Sequence, residues 1–161
     1  MNAQGARAAS GKIAFPCERD VETFANKFTS EIQVPLVIWL EGDLGAGKTT
    51  FARALVHALG YKGRVKSPTY GLLEQYLIGP VQVLHMDLYR ISDPGELEFL
   101  GLEDLLDETS ILLVEWPDRG GEWLPRPDFI FSFAYADKGR DLRWKACSEH
   151  ARTIPIETFN I

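Results

Sequence analysis

The sequence predicts an α/β protein, a three-layer sandwich in which helices cover a mostly parallel central sheet that carries an antiparallel C-terminal hairpin. Apolar segments of strand length alternate with segments of helical periodicity, which is the pattern of a layered α/β fold. Near the C-terminus, two strand-like segments flank residues 137–140, whose composition is typical of a hairpin turn.

The first half of the chain predicts a helix, a buried strand and a second helix. Apolar side chains at helical spacing predict an amphipathic helix over 18–31. The uninterrupted apolar run 36–40 is typical of a parallel strand that is buried on both faces. Helical spacing resumes over 49–59, and Gly60 is a typical C-terminal stop.

The second half of the chain predicts mainly strands. They span 72–77, 81–86, 111–114, 129–135 and 142–146. Gly79 and Pro80 form the predicted turn between the first two strands. Asp93 followed by Pro94 predicts the start of a helix between the second and third strands, because these residues suit the N-cap and the first helical position.

Length and composition predict one domain. The chain has 161 residues, of which 45% are hydrophobic and 25% charged, so one sizeable core is expected. The domain is expected to span 13–150. Residues 1–12 are polar and rich in Ala and Gly, which predicts a disordered leader without the apolar region of a secretory signal. The tail 151–161 gives no clear structural signal.

Charge and cysteine usage limit the possible partners. The formal net charge is −6, so the surface as a whole does not attract nucleic acid or an anionic membrane. Cys17 and Cys147 lie far apart in no metal-binding spacing, which predicts two reduced thiols. No apolar run approaches the length that spans a bilayer. The expectation is a cytoplasmic protein that does not contact a membrane.

A phosphate-binding loop is the strongest motif in the sequence. Residues 42–49 match G-x-x-x-x-G-K-[ST] between the predicted strand 36–40 and the helix 49–59. Backbone N–H groups of such a loop bind phosphate oxygens, Lys48 adds a charge for the β- and γ-phosphates, and Thr49 offers a hydroxyl to Mg²⁺. The pattern predicts a P-loop NTPase-like fold. No guanine-binding Asn/Thr-Lys-x-Asp motif follows the third strand, which favours ATP as the nucleotide.

Two carboxylates are candidates for the second metal contact. Asp87 ends one predicted strand and Glu115 ends another, and ligands of α/β sheets lie at the carboxyl ends of the strands. Either can contact Mg²⁺ through a water, since Mg²⁺ keeps several waters, while the other orients the attacking water or accepts its proton. The pattern alone does not order the two roles.

Several other residues carry weaker signals. Thr69 is either a switch-loop threonine that reaches the phosphate or a turn residue. Trp116, next to Glu115, either stacks on a base or belongs to the core. Arg90 and Arg119 are candidates for stabilising phosphoryl charge. His85 is expected to be a buried histidine with satisfied hydrogen bonds rather than a catalytic group.

Four blocks of sequence, in register, resemble the TsaE (YjeE) family. They are 42–50 (Gly-Asp-Leu-Gly-Ala-Gly-Lys-Thr-Thr), 67–70 (Ser-Pro-Thr-Tyr), 87–90 (Asp-Leu-Tyr-Arg) and 115–117 (Glu-Trp-Pro). The resemblance covers about residues 15–145. It implies a weak, partner-stimulated ATPase required for threonylcarbamoyladenosine modification of tRNAs that read codons beginning with A. The implied partners are the TsaB and TsaD proteins, with tRNA contacted only indirectly; oligomeric state is not implied.

The resemblance also implies roles for individual residues. Asp87 matches the family's acid for hydrolysis and, with Lys48, is a predicted catalytic residue. Thr49 and Glu115 match the Mg²⁺ positions, so the resemblance orders the two acids. The predicted nucleotide-binding residues are Gly45, Ala46, Gly47, Lys48, Thr49, Thr50, Trp116, Cys17 and Thr69. Cys17 stands where many relatives have a small polar residue near the adenine, and a thiol is a weaker hydrogen-bonding group.

Two other functions share the same loop. A P-loop small-molecule kinase would need an acceptor pocket and usually an arginine-rich lid, and the sequence shows no arginine-dense segment. A non-hydrolysing, ATP-dependent assembly factor would use the same binding residues and differ only in turnover.

Overall fold

The computed structural model describes residues 7–68 and 71–161, and these form a single seven-stranded sheet with helices on its faces. The strands are β1 (Ser10–Phe15), β2 (Leu36–Glu41), β3 (Leu73–Ile78), β4 (Val81–Asp87), β5 (Ser110–Glu115), β6 (Phe129–Tyr135) and β7 (Arg140–Ala146). The α-helices are α1 (Glu18–Glu31), α2 (Lys48–Ala58), α3 (Leu102–Leu105) and α4 (Glu149–Arg152). Short 3-10 helices span Pro94–Leu100, Pro117–Arg119, Gly121–Trp123 and Ile156–Thr158.

The strand order is β1-β7-β6-β2-β5-β4-β3. The four central strands, β6, β2, β5 and β4, are parallel, and antiparallel pairs close both ends of the sheet. The α/β class, the parallel centre and the C-terminal hairpin β6–β7 are thus confirmed. A second antiparallel edge, formed by β3 against β4, lies at the opposite end of the sheet.

Two apolar cores lie on the two faces of the sheet. One face packs against α1 and α2 through an aromatic cluster, in which Phe24, Phe28 and Phe51 meet Phe131 with ring centroids between 5.3 and 5.9 Å apart. The other face packs against the 3-10 helices and α3, mainly through leucines. The helix predicted to begin at Asp93 is a 3-10 helix, Pro94–Leu100, which Asp93 caps by accepting a hydrogen bond from the Gly95 N–H.

The expected leader is wrong for residues 10–12. Those residues begin β1, an edge strand that pairs antiparallel with β7 from Ser10 opposite Lys145 to Phe15 opposite Arg140. Polar residues suit this position because an edge strand is held by backbone pairing and only some of its side chains face the core. Arg7 donates to the Thr153 carbonyl, and the Ala9 carbonyl accepts from the Ala146 N–H at 2.8 Å. Residues 1–6 lie outside the described residues.

The C-terminal segment belongs to the core, so the domain continues beyond residue 150. Ile154 and Ile156 are buried with the α1/α2 face of the sheet. Phe159 packs on Phe24 with ring centroids 5.9 Å apart. Among the described residues, no helix combines the length and apolarity that crossing a membrane requires.

Candidate nucleotide site

The loop between β2 and α2 has a shape that its glycines make possible. Gly42 has a φ of 136°, and a Cβ at this position would overlap with the carbonyl oxygen of Phe133 on β6. Gly47 is the N-cap residue of α2 and makes no side-chain cap. The first-turn N–H groups of α2 therefore keep their capacity to bind an anion, assisted by the positive end of the helix dipole.

The β6–β7 hairpin holds this loop from behind. The Tyr135 hydroxyl donates to the Leu44 carbonyl at 2.9 Å, and Arg140 Nη2 donates to the Gly45 carbonyl at 3.3 Å. The two side chains also contact each other, with the guanidinium 4.3 Å from the tyrosine ring centroid. Tyr135 and Arg140 were not predicted as site residues, because nothing in their local sequence links a C-terminal hairpin to residues 42–49.

Lys48 is nearly buried, with 4% of its surface exposed. Its Nζ donates to the carbonyls of Gly42 and Asp43, the latter at 2.8 Å, and lies 4.4 Å from the ring centroid of Trp116. Burial lowers the pKa of Lys48, while the nearby carboxylates Glu115, Asp87 and Asp43 act in the opposite direction. The ammonium group is thus held inside the cavity beside three acids.

Thr49, in the first turn of α2, contacts Glu115 at the end of β5. The Thr49 hydroxyl lies 3.0 Å from Oε1 and 3.2 Å from Oε2 of Glu115, to which it donates. Glu115 pairs with Leu40 at the carboxyl end of the sheet and is only 2% exposed. Its Oε2 is also 2.6 Å from Nε2 of His85, which is completely buried. A hydroxyl and a carboxylate in contact form an oxygen donor set that suits Mg²⁺.

Asp87 lies beside Glu115, since the two residues are register partners on β4 and β5. It accepts hydrogen bonds from the Ser67 hydroxyl at 3.2 Å and from the Tyr89 N–H at 3.0 Å. The segment that contains Ser67 therefore contacts the site. Thr69, the residue predicted from that segment, lies outside the described residues.

Two cavities flank the loop. The larger, of about 320 Å³, is lined by Lys48, Thr49, Asp87, Arg90, Glu115 and Trp116, among others. The smaller, of about 190 Å³, is lined by apolar groups such as Phe15, Val21 and Phe133, with Cys17 and Arg140. Both share Gly45, Gly47 and Thr50. The charged predicted residues thus meet in one cavity, and Cys17 lies in the other.

Trp116 and Cys17 occupy different surroundings. Trp116 has a φ of 58° and packs on Tyr89, with ring centroids 5.1 Å apart, in the cavity of the acids. It is half-buried, packs against the leucine-rich core and also lines the larger cavity, whereas Cys17 lines the smaller one. Cys17 is the N-cap residue of α1, and its thiol donates to Asp20 at 3.1 Å. Arg119 donates to the Tyr89 carbonyl at the edge of this group.

Comparison with known proteins identifies relatives along nearly the whole chain. A family model described as threonylcarbamoyl adenosine biosynthesis protein TsaE matches residues 15–143. The "tRNA threonylcarbamoyladenosine biosynthesis protein TsaE" of Haemophilus influenzae is 40% identical over 150 residues, which are 90% of this chain and 94% of that protein. The protein of the same name from Rickettsia prowazekii is 35% identical over 134 residues, 83% of this chain and 90% of its own.

The fold has a solved counterpart. The crystal structure of Bacillus subtilis YdiB superposes with a TM-score of 0.73 at 26% identity, covering 92% of this chain and 91% of the other. The family match, residues 15–143, includes β2 to β6 and every site residue described above. The chain belongs to the TsaE family of threonylcarbamoyl adenosine biosynthesis proteins.

Proposed function

We propose that this chain is an ATPase that serves threonylcarbamoyladenosine modification of tRNA by acting on a TsaB–TsaD complex. The observation that carries the proposal is the meeting of Lys48, Thr49, Asp87 and Glu115 around one cavity at the carboxyl end of the sheet. The family and the names of the relatives supply the pathway.

The loop residues Gly45 to Thr50 would bind the phosphates of ATP. In the present arrangement Lys48 donates to the carbonyls of its own loop, so its ammonium group is already positioned inside the cavity. Phosphate oxygens are stronger acceptors than these carbonyls, because they carry negative charge and add an ion–ion attraction to the hydrogen bond from the ammonium group. The smaller, apolar cavity beside Cys17 would receive the base.

Thr49 and Glu115 would hold Mg²⁺, which supplies positive charge against the phosphate oxygens when bound. Support for this pair comes from the 3.0 Å contact of hydroxyl and carboxylate and from the burial of Glu115. Asp87 would then orient the attacking water and accept its proton at a carboxylate oxygen, with Ser67 and the Tyr89 N–H fixing the side chain. This assignment follows the order of the two acids that the family resemblance implies.

The catalytic set is small, which fits a slow enzyme that a partner stimulates. An acidic chain with a net charge of −6 would contact tRNA only through TsaB and TsaD. The partners would act at the segments that carry Ser67 and Tyr89, since both contact Asp87 directly.

The test is steady-state ATP hydrolysis by wild type, Asp87→Asn and Asp104→Asn, each alone and with purified TsaB–TsaD. Asp104 is the matched control, because it is an exposed aspartate of α3 that lines neither of the two cavities. We expect stimulation of wild type and of Asp104→Asn, and a loss of 10²–10⁴-fold in turnover for Asp87→Asn, the usual range for removing a general base. ADP binding should be equal in all three proteins.

Other results would favour other functions. Tight ATP binding without phosphate release, even with TsaB–TsaD present, would favour a non-hydrolysing assembly factor. Transfer of phosphate to an added acceptor would favour a small-molecule kinase. Equal turnover of Asp87→Asn and wild type would contradict the proposed role of Asp87.

A further inference from the structure

We infer that His85 is a positioning residue, which fixes the proposed metal-binding carboxylate of Glu115 by donating a hydrogen bond from Nε2 to Oε2. The inference rests on the proposed function, in that it takes Glu115 as a Mg²⁺ contact. It concerns a residue of β4 that touches neither the loop 42–49 nor the acid Asp87 among the contacts described above.

The sheet places the two side chains on the same face. His85 is opposite Leu113 in the β4–β5 pairing, and Glu115 lies two residues further along β5. Since side chains of a strand alternate between faces, Leu113 and Glu115 point to the same side, and the imidazole reaches along that side to the carboxylate. The resulting Nε2–Oε2 distance of 2.6 Å is that of a strong hydrogen bond.

The surroundings of the ring determine which nitrogen carries the proton. Nδ1 of His85 is buried and has no hydrogen-bond partner within the described part of the chain, whereas Nε2 faces a carboxylate oxygen. A buried N–H without an acceptor is costly, and a carboxylate accepts but does not donate. The geometry therefore requires the tautomer with the proton on Nε2.

This contact has a role that Thr49 cannot fill. Thr49 also donates to Glu115, but its hydroxyl is itself a proposed metal contact, so its bond to the carboxylate depends on the state of the site. The bond from His85 depends only on the sheet. It occupies Oε2 and leaves Oε1, the oxygen closer to Thr49, for the metal. Partners of this kind fix the orientation of a ligand and commonly change metal affinity by 10–100-fold.

The test compares two variants of His85 whose side-chain amide nitrogens lie at different distances from the backbone. The amide nitrogen of Gln replaces Nε2 of histidine, whereas that of Asn replaces Nδ1, so His85→Gln keeps the donor at Glu115 and His85→Asn does not. For each protein, ADP binding is measured by calorimetry in EDTA and then along a Mg²⁺ titration. Thermal unfolding of each variant establishes that it is folded.

We expect that the Mg²⁺ concentration at which the change in ADP affinity is half complete is about 10–100-fold higher for His85→Asn than for wild type. The ADP affinity measured in EDTA should be the same for both proteins. His85→Gln should stay within about threefold of wild type, because it preserves the hydrogen bond to Glu115. In a Glu115→Gln background, the His85→Asn substitution should have no further effect on the Mg²⁺ dependence, because the group that it positions is gone.

Equal Mg²⁺ dependence of wild type, His85→Gln and His85→Asn would overturn the inference while leaving the proposed ATPase intact. If His85→Asn does not fold, the wild-type protein still decides the matter through the ¹H–¹⁵N correlations of its imidazole. The Nε2–H tautomer supports the inference, and the Nδ1–H tautomer refutes it. Because the calorimetry measures binding, absence of ATP turnover would count against the proposed function alone.

Discussion

Lys48 is a residue whose buried charge lowers the stability of the unliganded protein. Its ammonium group is 4% exposed, and burial disfavours the charged form more strongly than the nearby carboxylates favour it, so its pKa is lowered. Glu115 shows the complementary case. Its buried carboxylate accepts hydrogen bonds from two donors, the Thr49 hydroxyl and Nε2 of His85. The site thus holds charges in place in the unliganded protein, which is electrostatic preorganisation at the level of single residues.

Lys48→Met removes the charge and keeps most of the chain length. We expect ADP and ATP affinity to fall by about ten- to a hundredfold, because hydrogen bonds to charged groups contribute about 1.5–3 kcal/mol. The lowered pKa also predicts a pH effect: wild type should gain stability relative to Lys48→Met as pH rises through the folded-state pKa towards 10.5. Urea unfolding of both proteins between pH 7 and 10 measures this difference, and a difference that moves the opposite way would contradict it.

At the scale of elements, the hairpin β6–β7 does more than close the sheet. Its Tyr135 and Arg140 donate hydrogen bonds to the carbonyls of Leu44 and Gly45, so the C-terminal strands support the loop 42–49. The turn of the same hairpin contacts the end of β1. A Cβ on Gly139 would overlap with the Phe15 carbonyl and lie 2.6 Å from the Pro16 carbonyl oxygen.

The variants Gly139→Ala and Gly79→Ala distinguish two contributions to the loss of stability: the overlap of the added Cβ with the end of β1, and the unfavourable left-handed backbone. Both glycines have positive φ, 71° and 56°, but a Cβ at Gly79 meets nothing within 4 Å. Gly79→Ala should cost about 1–2 kcal/mol of unfolding free energy, the penalty of left-handed backbone. Gly139→Ala should cost about 1–3 kcal/mol more, because of overpacking. Equal losses in urea unfolding would show that the hairpin turn can move away from β1.

At the scale of the whole molecule, the two ends of the described chain pack at the same edge of the sheet. The chain end returns to the face of the sheet that α1 and α2 cover, where Ile154, Ile156 and Phe159 add to the aromatic cluster around Phe24. Arg7, near the other end, donates to the Thr153 carbonyl. The two ends of the described chain therefore stabilise each other at the edge of the sheet that carries β1.

Two isoleucines of the C-terminal segment test this arrangement. Ile156 is 1% exposed and Ile161 is 39% exposed. Ile156→Ala should lower the free energy of unfolding by about 2–5 kcal/mol, through lost burial and the cavity left behind. Ile161→Ala should change it by less than about 0.5 kcal/mol. Thermal and urea unfolding provide the measurement, and a neutral Ile156→Ala would mean that the C-terminal segment does not belong to the cooperative core.

The sequence alone determined the features that depend on neighbouring residues. The apolar run of β2, the spacing of residues 42–49 and the periodicity of α2 lie within one short stretch, so their geometry follows from covalent connection and local preference. The same holds for the positions of Asp87 and Glu115 at strand ends. Four such blocks in register were enough to identify the family, which the comparisons confirm.

Only the tertiary structure decided which of these residues meet. The pairing of β4 with β5 places Asp87 beside Glu115 and brings His85 within 2.6 Å of the same carboxylate, although His85 and Glu115 are 30 positions apart in the sequence. The order of the seven strands brings Tyr135 and Arg140 to the loop, and it turns residues 10–12 into an edge strand. The physical reason is that strand pairing fixes the distances between residues that are remote in sequence. A local pattern assigns the side chains of a strand to alternate faces, but it does not specify which strands become neighbours.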